Sequence, residues 1–88
     1  MTNSDYVLKV LKIFTNRCVG CTEAELLACI DLLIQLKNYK HERSEPGFHT
    51  LIFNSKERSI RIEFIVKKGI VSQTFIIEKL GDKWEQVG

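Results

Sequence analysis

Proline is almost missing from this chain: Pro46 is the only one, and the five glycines stand singly. That spacing excludes collagen-like and low-complexity compositions, and isolated glycines exclude a glycine-rich phosphate loop. Long apolar runs are missing too. Leu32-Leu33-Ile34 is among the longest, far below the roughly 20 residues of a membrane-spanning helix, so no membrane association is expected. Neither sign of charge dominates, with 13 Lys and Arg against 11 Asp and Glu. A dedicated nucleic-acid binder concentrates phosphate-neutralising cations, and this balance argues weakly against one. Cysteine is sparse and odd in number; three cannot all pair within the chain, and free thiols in a reducing compartment are the expectation. Met1-Thr2-Asn3-Ser4-Asp5 has neither the basic region nor the cleavage site of a secretory signal. A cytoplasmic location is therefore expected.

What remains is the composition of a folded chain, 44% apolar over 88 residues. This suits one domain, spanning 1–88, with one modest core. Val7, Val10, Leu11 and Phe14 recur at helical spacing, which predicts a first helix over 5–16 capped by Ser4. Thr22-Glu23-Ala24-Glu25 fits a capping box and starts a second helix. That helix is expected to run to about Lys40, with Cys29 inward between Leu26 and Leu33. It is apolar around most of its circumference and wants cover on more than one side. Residues 41–47, ending in Pro46-Gly47, read as the loop leading into the sheet.

From residue 48 the apolar period changes to two. Strands are expected at Phe48 to Phe53, Arg58 to Lys67, Ile70 to Lys79 and Lys83 to Val87, with tight turns at Lys68-Gly69 and Leu80-Gly81. Pairing Lys67 with Ile70 sets Ile62 against Phe75 and Ile60 against Ile77 on an inward face, which Trp84 joins as a core anchor. The expected fold class is α+β, with two N-terminal helices on one face of a four-stranded antiparallel meander, α-α-β-β-β-β.

Catalytic and metal signatures are weak. Cys18 and Cys21 form a C-x2-C pair, but a structural zinc site needs two more ligands and the spacing to His41 and His49 fits no common finger. A redox pair of the thioredoxin kind follows a strand, and this one does not. His41 and His49 are the available bases, yet nothing in the spacing brings Ser44, Ser55, Ser59 or Ser72 to either. No enzymatic activity, metal or cofactor is expected. Two strands followed by Gly81-Asp82-Lys83-Trp84 resemble the end of the cone-shaped α+β domains of the nuclear-transport-factor kind. The likeness is confined to the C-terminal end, and it carries over no functional residue.

The leading expectation is a small protein-binding module, a regulator or inhibitor. It would meet a protein partner or its own copy as a twofold dimer, through an outward sheet-face patch of Ile65, Ile76, Arg61 and Glu63. The alternative is nucleic-acid binding through the basic outward sheet face and the Lys67-Lys68 turn, using Lys56, Arg58, Arg61, Lys67 and Lys68. An aromatic on that face would complete a stacking platform, but Phe64, Phe75 and Trp84 are all expected on the core side.

Overall fold

In the computed structural model, which describes residues 3–36, 38–56 and 58–87, helix α1 runs Asn3–Cys18. The side chain of Ser4, the expected cap, lies outside the described residues, as does Glu57, between the first two expected strands. Leu11, Thr15 and Cys18 form the buried stripe of α1, and Thr15 satisfies its buried hydroxyl by donating to the Lys12 carbonyl at 3.0 Å. Helix α2, Glu23–Ile34, begins at the expected capping box. The Thr22 hydroxyl accepts from the Glu25 N–H, the Thr22 N–H donates to the Glu25 carboxylate, and the Glu23 N–H donates to the Gly69 carbonyl. Three donors at this helix start are therefore satisfied, one of them by the sheet. Neither helix is long and apolar enough to cross a membrane.

Helix α2 stops well before Lys40, because the residues that follow belong to a strand. The sheet has five antiparallel strands, not four: β1 (Tyr39–Glu45), β2 (Phe48–Asn54), β3 (Ser59–Lys67), β4 (Ile70–Leu80) and β5 (Lys83–Gln86), in spatial order β1-β2-β3-β4-β5. Strand β1 was unexpected because its sequence, YKHERSE, is charged. Charged residues are usual on an edge strand, where they oppose further pairing. Pro46-Gly47 is accordingly the hairpin turn between β1 and β2. Proline followed by glycine at φ +78° fits the two central positions of a type II turn. The Gly47 carbonyl accepts the Val66 N–H at 2.8 Å, and a Cβ on Gly47 would sit 2.8 Å from the Val66 carbonyl oxygen.

The hairpin β3–β4 turns as expected at Lys68-Gly69, both with positive φ, as a type I′ turn requires. Val66 pairs with Val71 and Lys67 with Ile70. One extra residue, Ser72, then enters β4, and its hydroxyl donates to the Ile65 carbonyl. Beyond this bulge Ile62 pairs with Ile76 and Ile60 with Glu78, not with Phe75 and Ile77. A one-residue slip sends each following side chain to the opposite face. Ile76 turns into the core at 1% exposure, while Phe75 and Ile77 turn outward. The last turn falls at Gly81-Asp82, so Lys79 pairs with Trp84. Trp84 is 43% exposed and is not the expected core anchor.

Both helices cover one face of the sheet. Leu11, Cys18, Leu26 and Ile30 meet Leu51, Phe53, Ile60, Ile62, Phe64, Val71 and Ile76 in one cluster, and Phe14 meets Phe64 edge to face. Cys29, expected in this core, is exposed; a helix lying on a single sheet buries one stripe, here Leu26 and Ile30. The α1–α2 link is bonded to the start of β4. The Gly20 N–H donates to the Val71 carbonyl, and the Val71 N–H to the Cys21 carbonyl.

Candidate functional site

Two places gather reactive or unpartnered side chains, one on each face of the sheet. On the helix face, the β1–β2 hairpin brings His41 and His49 together as diagonal neighbours. His41 Nε2 lies 3.0 Å from His49 Nδ1, and His49 Nε2 lies 2.8 Å from a Glu23 carboxylate oxygen. Glu23 occupies the first turn of α2, where a negative charge meets the positive end of the helix dipole. His49 is fully buried. With the Glu23 carboxylate ionised, the network assigns Nε2–H of His49 as donor to Glu23 and Nδ1 as acceptor from His41. The hydrogen bond from His49 holds the Glu23 carboxyl below its usual range, helped by the electrostatic pull of His49 and Arg43 and opposed by burial. Burial, His49 and Arg43 push His41 below the usual imidazole range, against the opposing pull of Asp31.

This chain orients His41 as a proton acceptor through its remaining nitrogen. A nucleophile hydrogen-bonded to that nitrogen is what hydrolytic chemistry would add, and no such contact occurs among the described residues. No group of three or more His, Cys, Asp or Glu able to hold a metal ion occurs among them either. The arrangement works as a pin, tying the start of α2 to β2 and the edge strand. Cys18 offers no activated thiolate: it is pushed up to about 11 by burial, then by the neighbouring Cys29 and Cys21. Cys21 donates its S–H to the Arg17 carbonyl at 3.4 Å.

The opposite face of the sheet has no described helix over it. Cross-strand pairs place Phe48, Ile52, Ile65, Phe75, Ile77 and Trp84 on it. All but Trp84 are half-buried by their neighbours alone. The face also carries Arg61, with its guanidinium 5.7 Å from the centre of the Trp84 ring. Arg61 Nε is buried and has no hydrogen-bond partner among the described residues. Beside it lies a depression of about 360 Å³ whose walls include Ile52, Arg61, Lys79 and Trp84.

No protein family, curated protein or solved structure matches this chain. The resemblance to domains of the nuclear-transport-factor kind gains no support from that comparison, and geometry alone bears on function.

Of the sequence-derived interface residues, Ile65, Arg61 and Glu63 share the open face, whereas Ile76 lies in the core on the other side. The nucleic-acid set is dispersed. Lys56 and Arg58 sit at one end of β3 and Lys67 and Lys68 at the other, roughly 25 to 30 Å apart at the rise of a strand. Arg58 is committed to an ion pair with the buried carboxylate of Glu78. Apart from Ile65, the aromatic and aliphatic residues of the open face escaped sequence reasoning. Their one available signal is the run Phe75-Ile76-Ile77, which supplies an apolar residue to each face and leaves the parity of β4 undecided.

Proposed function

We propose that this chain is a non-enzymatic binding module that engages a protein partner through the open sheet face, as a regulator or inhibitor does. The observation that supports this most is the composition of that face. The outer side of an antiparallel sheet is ordinarily polar, and here Phe75 and Ile77 lie along β4 beside Trp84 of β5, with Ile52 and the Phe48–Ile65 pair on the far side of Arg61 and Glu63. Apolar side chains gathered on one uncovered face mark interaction surfaces. Glu63 and Arg61 among them give polar contacts that fix orientation.

The test uses the wild-type chain and Ile65→Lys as baits in parallel. Partners retained by the first and lost by the second support the reading. Identical captures, together with unchanged mass by light scattering from about 5 to 200 μM protein, would remove it. A second reading has a specific observation in its favour: Phe75 and Trp84 share a face with Arg61 and Lys79, which supplies the aromatic element of a single-strand platform. Oligonucleotide binding that weakens steeply with salt would favour it.

A further inference from the structure

Resting on the protein-binding reading of the open face, we infer that the depression beside Trp84 is an anchor for an acidic side chain of the partner, a Glu or Asp flanked by apolar residues. Arg61 is the central group. Its guanidinium packs beside the Trp84 ring, so the stem and the planar head are held in place. Its Nε–H is buried and unsatisfied among the described residues. A buried donor without an acceptor is a standing cost. The planar guanidinium is a forked donor, and a carboxylate in the depression fills such a fork with two parallel hydrogen bonds.

The surroundings fit the same ligand. Lys79, opposite Trp84 in the β4–β5 pair, adds a second cation to the depression. Asn54 and Ser59, paired across β2 and β3, add hydrogen-bonding groups. Among the described residues of the wall Glu42 is the one carboxylate against two cations, Arg61 and Lys79, which favours a single incoming negative charge. About 360 Å³ is room for a side chain. The flanking Ile52 and Ile77 match apolar neighbours of that side chain.

Charge placement decides between a protein and a nucleic acid. Glu42, Glu45 and Glu63 share the open face with Lys40, Arg61 and Lys79. A phosphate backbone crossing the face would meet these carboxylates, whereas one anchored side chain need not.

The experiment pans a random peptide library displayed on phage against the whole chain. Binding is then read for the enriched peptides from the emission of Trp84, the only tryptophan. The expected peptides carry Glu or Asp beside apolar residues. They change Trp84 emission, and they lose roughly 10- to 100-fold in affinity against Arg61→Met, as a charge-assisted hydrogen bond predicts. Changing the peptide acid to its amide should cause a similar loss, and Lys79→Met a smaller one. Should Arg61→Met fail to fold, the peptide amide and Lys79→Met decide between the outcomes.

Enriched peptides without an acid, insensitive to these changes but lost on Ile65→Lys, would overturn the anchor and leave the open-face reading standing. If no enriched peptide responds to Ile65→Lys, Arg61→Met or Lys79→Met, the open-face reading falls and the anchor with it. Two other outcomes reassign the site. Oligo-dT that quenches Trp84 more tightly than any acidic peptide points to nucleic acid, and a wild-type dimer dissociated by Arg61→Met points to a second copy of this chain.

Discussion

Ile76→Ala should cost about 3 kcal/mol of folding stability and Ile77→Ala less than about 1, although the two residues are neighbours. Ile76 is 1% exposed, packed in the cluster with Leu11, Leu26 and Phe64. Its truncation removes three buried carbons, worth about 0.8 kcal/mol each in transfer from water, plus a cavity term. Ile77 pairs with Arg61 on the open face, where most of the lost contact is replaced by solvent. A chain of 88 residues has a total stability of roughly 4 to 13 kcal/mol, so the first change removes a large share of it. Urea titration followed by far-UV circular dichroism measures both, with the slope unchanged if the unfolded state is unaffected. In thermal melts the Ile76 variant should fall by roughly 12 to 24 °C and its neighbour by a few degrees. A larger loss at Ile77 than at Ile76 would refute the bulge at Ser72 and everything built on the open face.

Gly47→Ala should destabilise by roughly 1 to 3 kcal/mol, since it combines a left-handed backbone with a 2.8 Å approach to the Val66 carbonyl oxygen. Gly69→Ala, which meets nothing within 4 Å, should cost less in the same urea assay. Acidification should destabilise the fold in two steps. His41 lies below its ordinary value in the folded state, so its contribution is complete above about pH 6.5 and is lost as pH falls through the folded value. Glu23 and Glu25 lie below the ordinary carboxyl value of 4.5, so their contributions are lost further down. His41→Gln should flatten the first step of a stability–pH curve and Glu23→Gln the second. Labelling with a thiol reagent near pH 7.5 should modify the exposed Cys29 and spare the buried Cys18 until urea unfolds the chain.

The parts of this fold that could be read from the sequence are those whose cause is local. The capping box needs only Thr22 and Glu25, and the tight hairpin turn is signalled by Gly69, which takes a positive φ freely. The alternation of β3 survives because Ile60, Ile62 and Phe64 all face one core. Strand β1 has no such signature. Its backbone is held by pairing with β2, and its inward residues, Tyr39, His41 and Arg43, do not read as a hydrophobic face. Losing β1 hid the histidine chain as well, because His41 and His49 meet only if Pro46-Gly47 is a hairpin turn. The bulge left no mark either: Ser72 resembles any exposed strand serine, and its consequence appears only in residues beyond it.

That single insertion accounts for both unusual features of the sheet. Without it, Phe75, Ile77 and Trp84 would join the helix face, and Glu78 would point to solvent. With it, a carboxylate is buried at Glu78 and must be matched by Arg58. Meanwhile three large apolar side chains are left on the uncovered face. A buried ion pair is seldom more stabilising than apolar residues of the same volume, and exposed apolar area gives nothing to a monomer. What fixes the bulged register lies at the other end of β4, where the Gly20 and Cys21 backbone bonds hold Val71 against the helix link and the type I′ turn sets Val66 opposite it. Ser72 absorbs the mismatch between that anchored end and the Ile62–Ile76 pair. The monomer core alone does not favour this division of side chains; in the binding role we propose, a partner covering the open face would recover apolar burial that folding left incomplete.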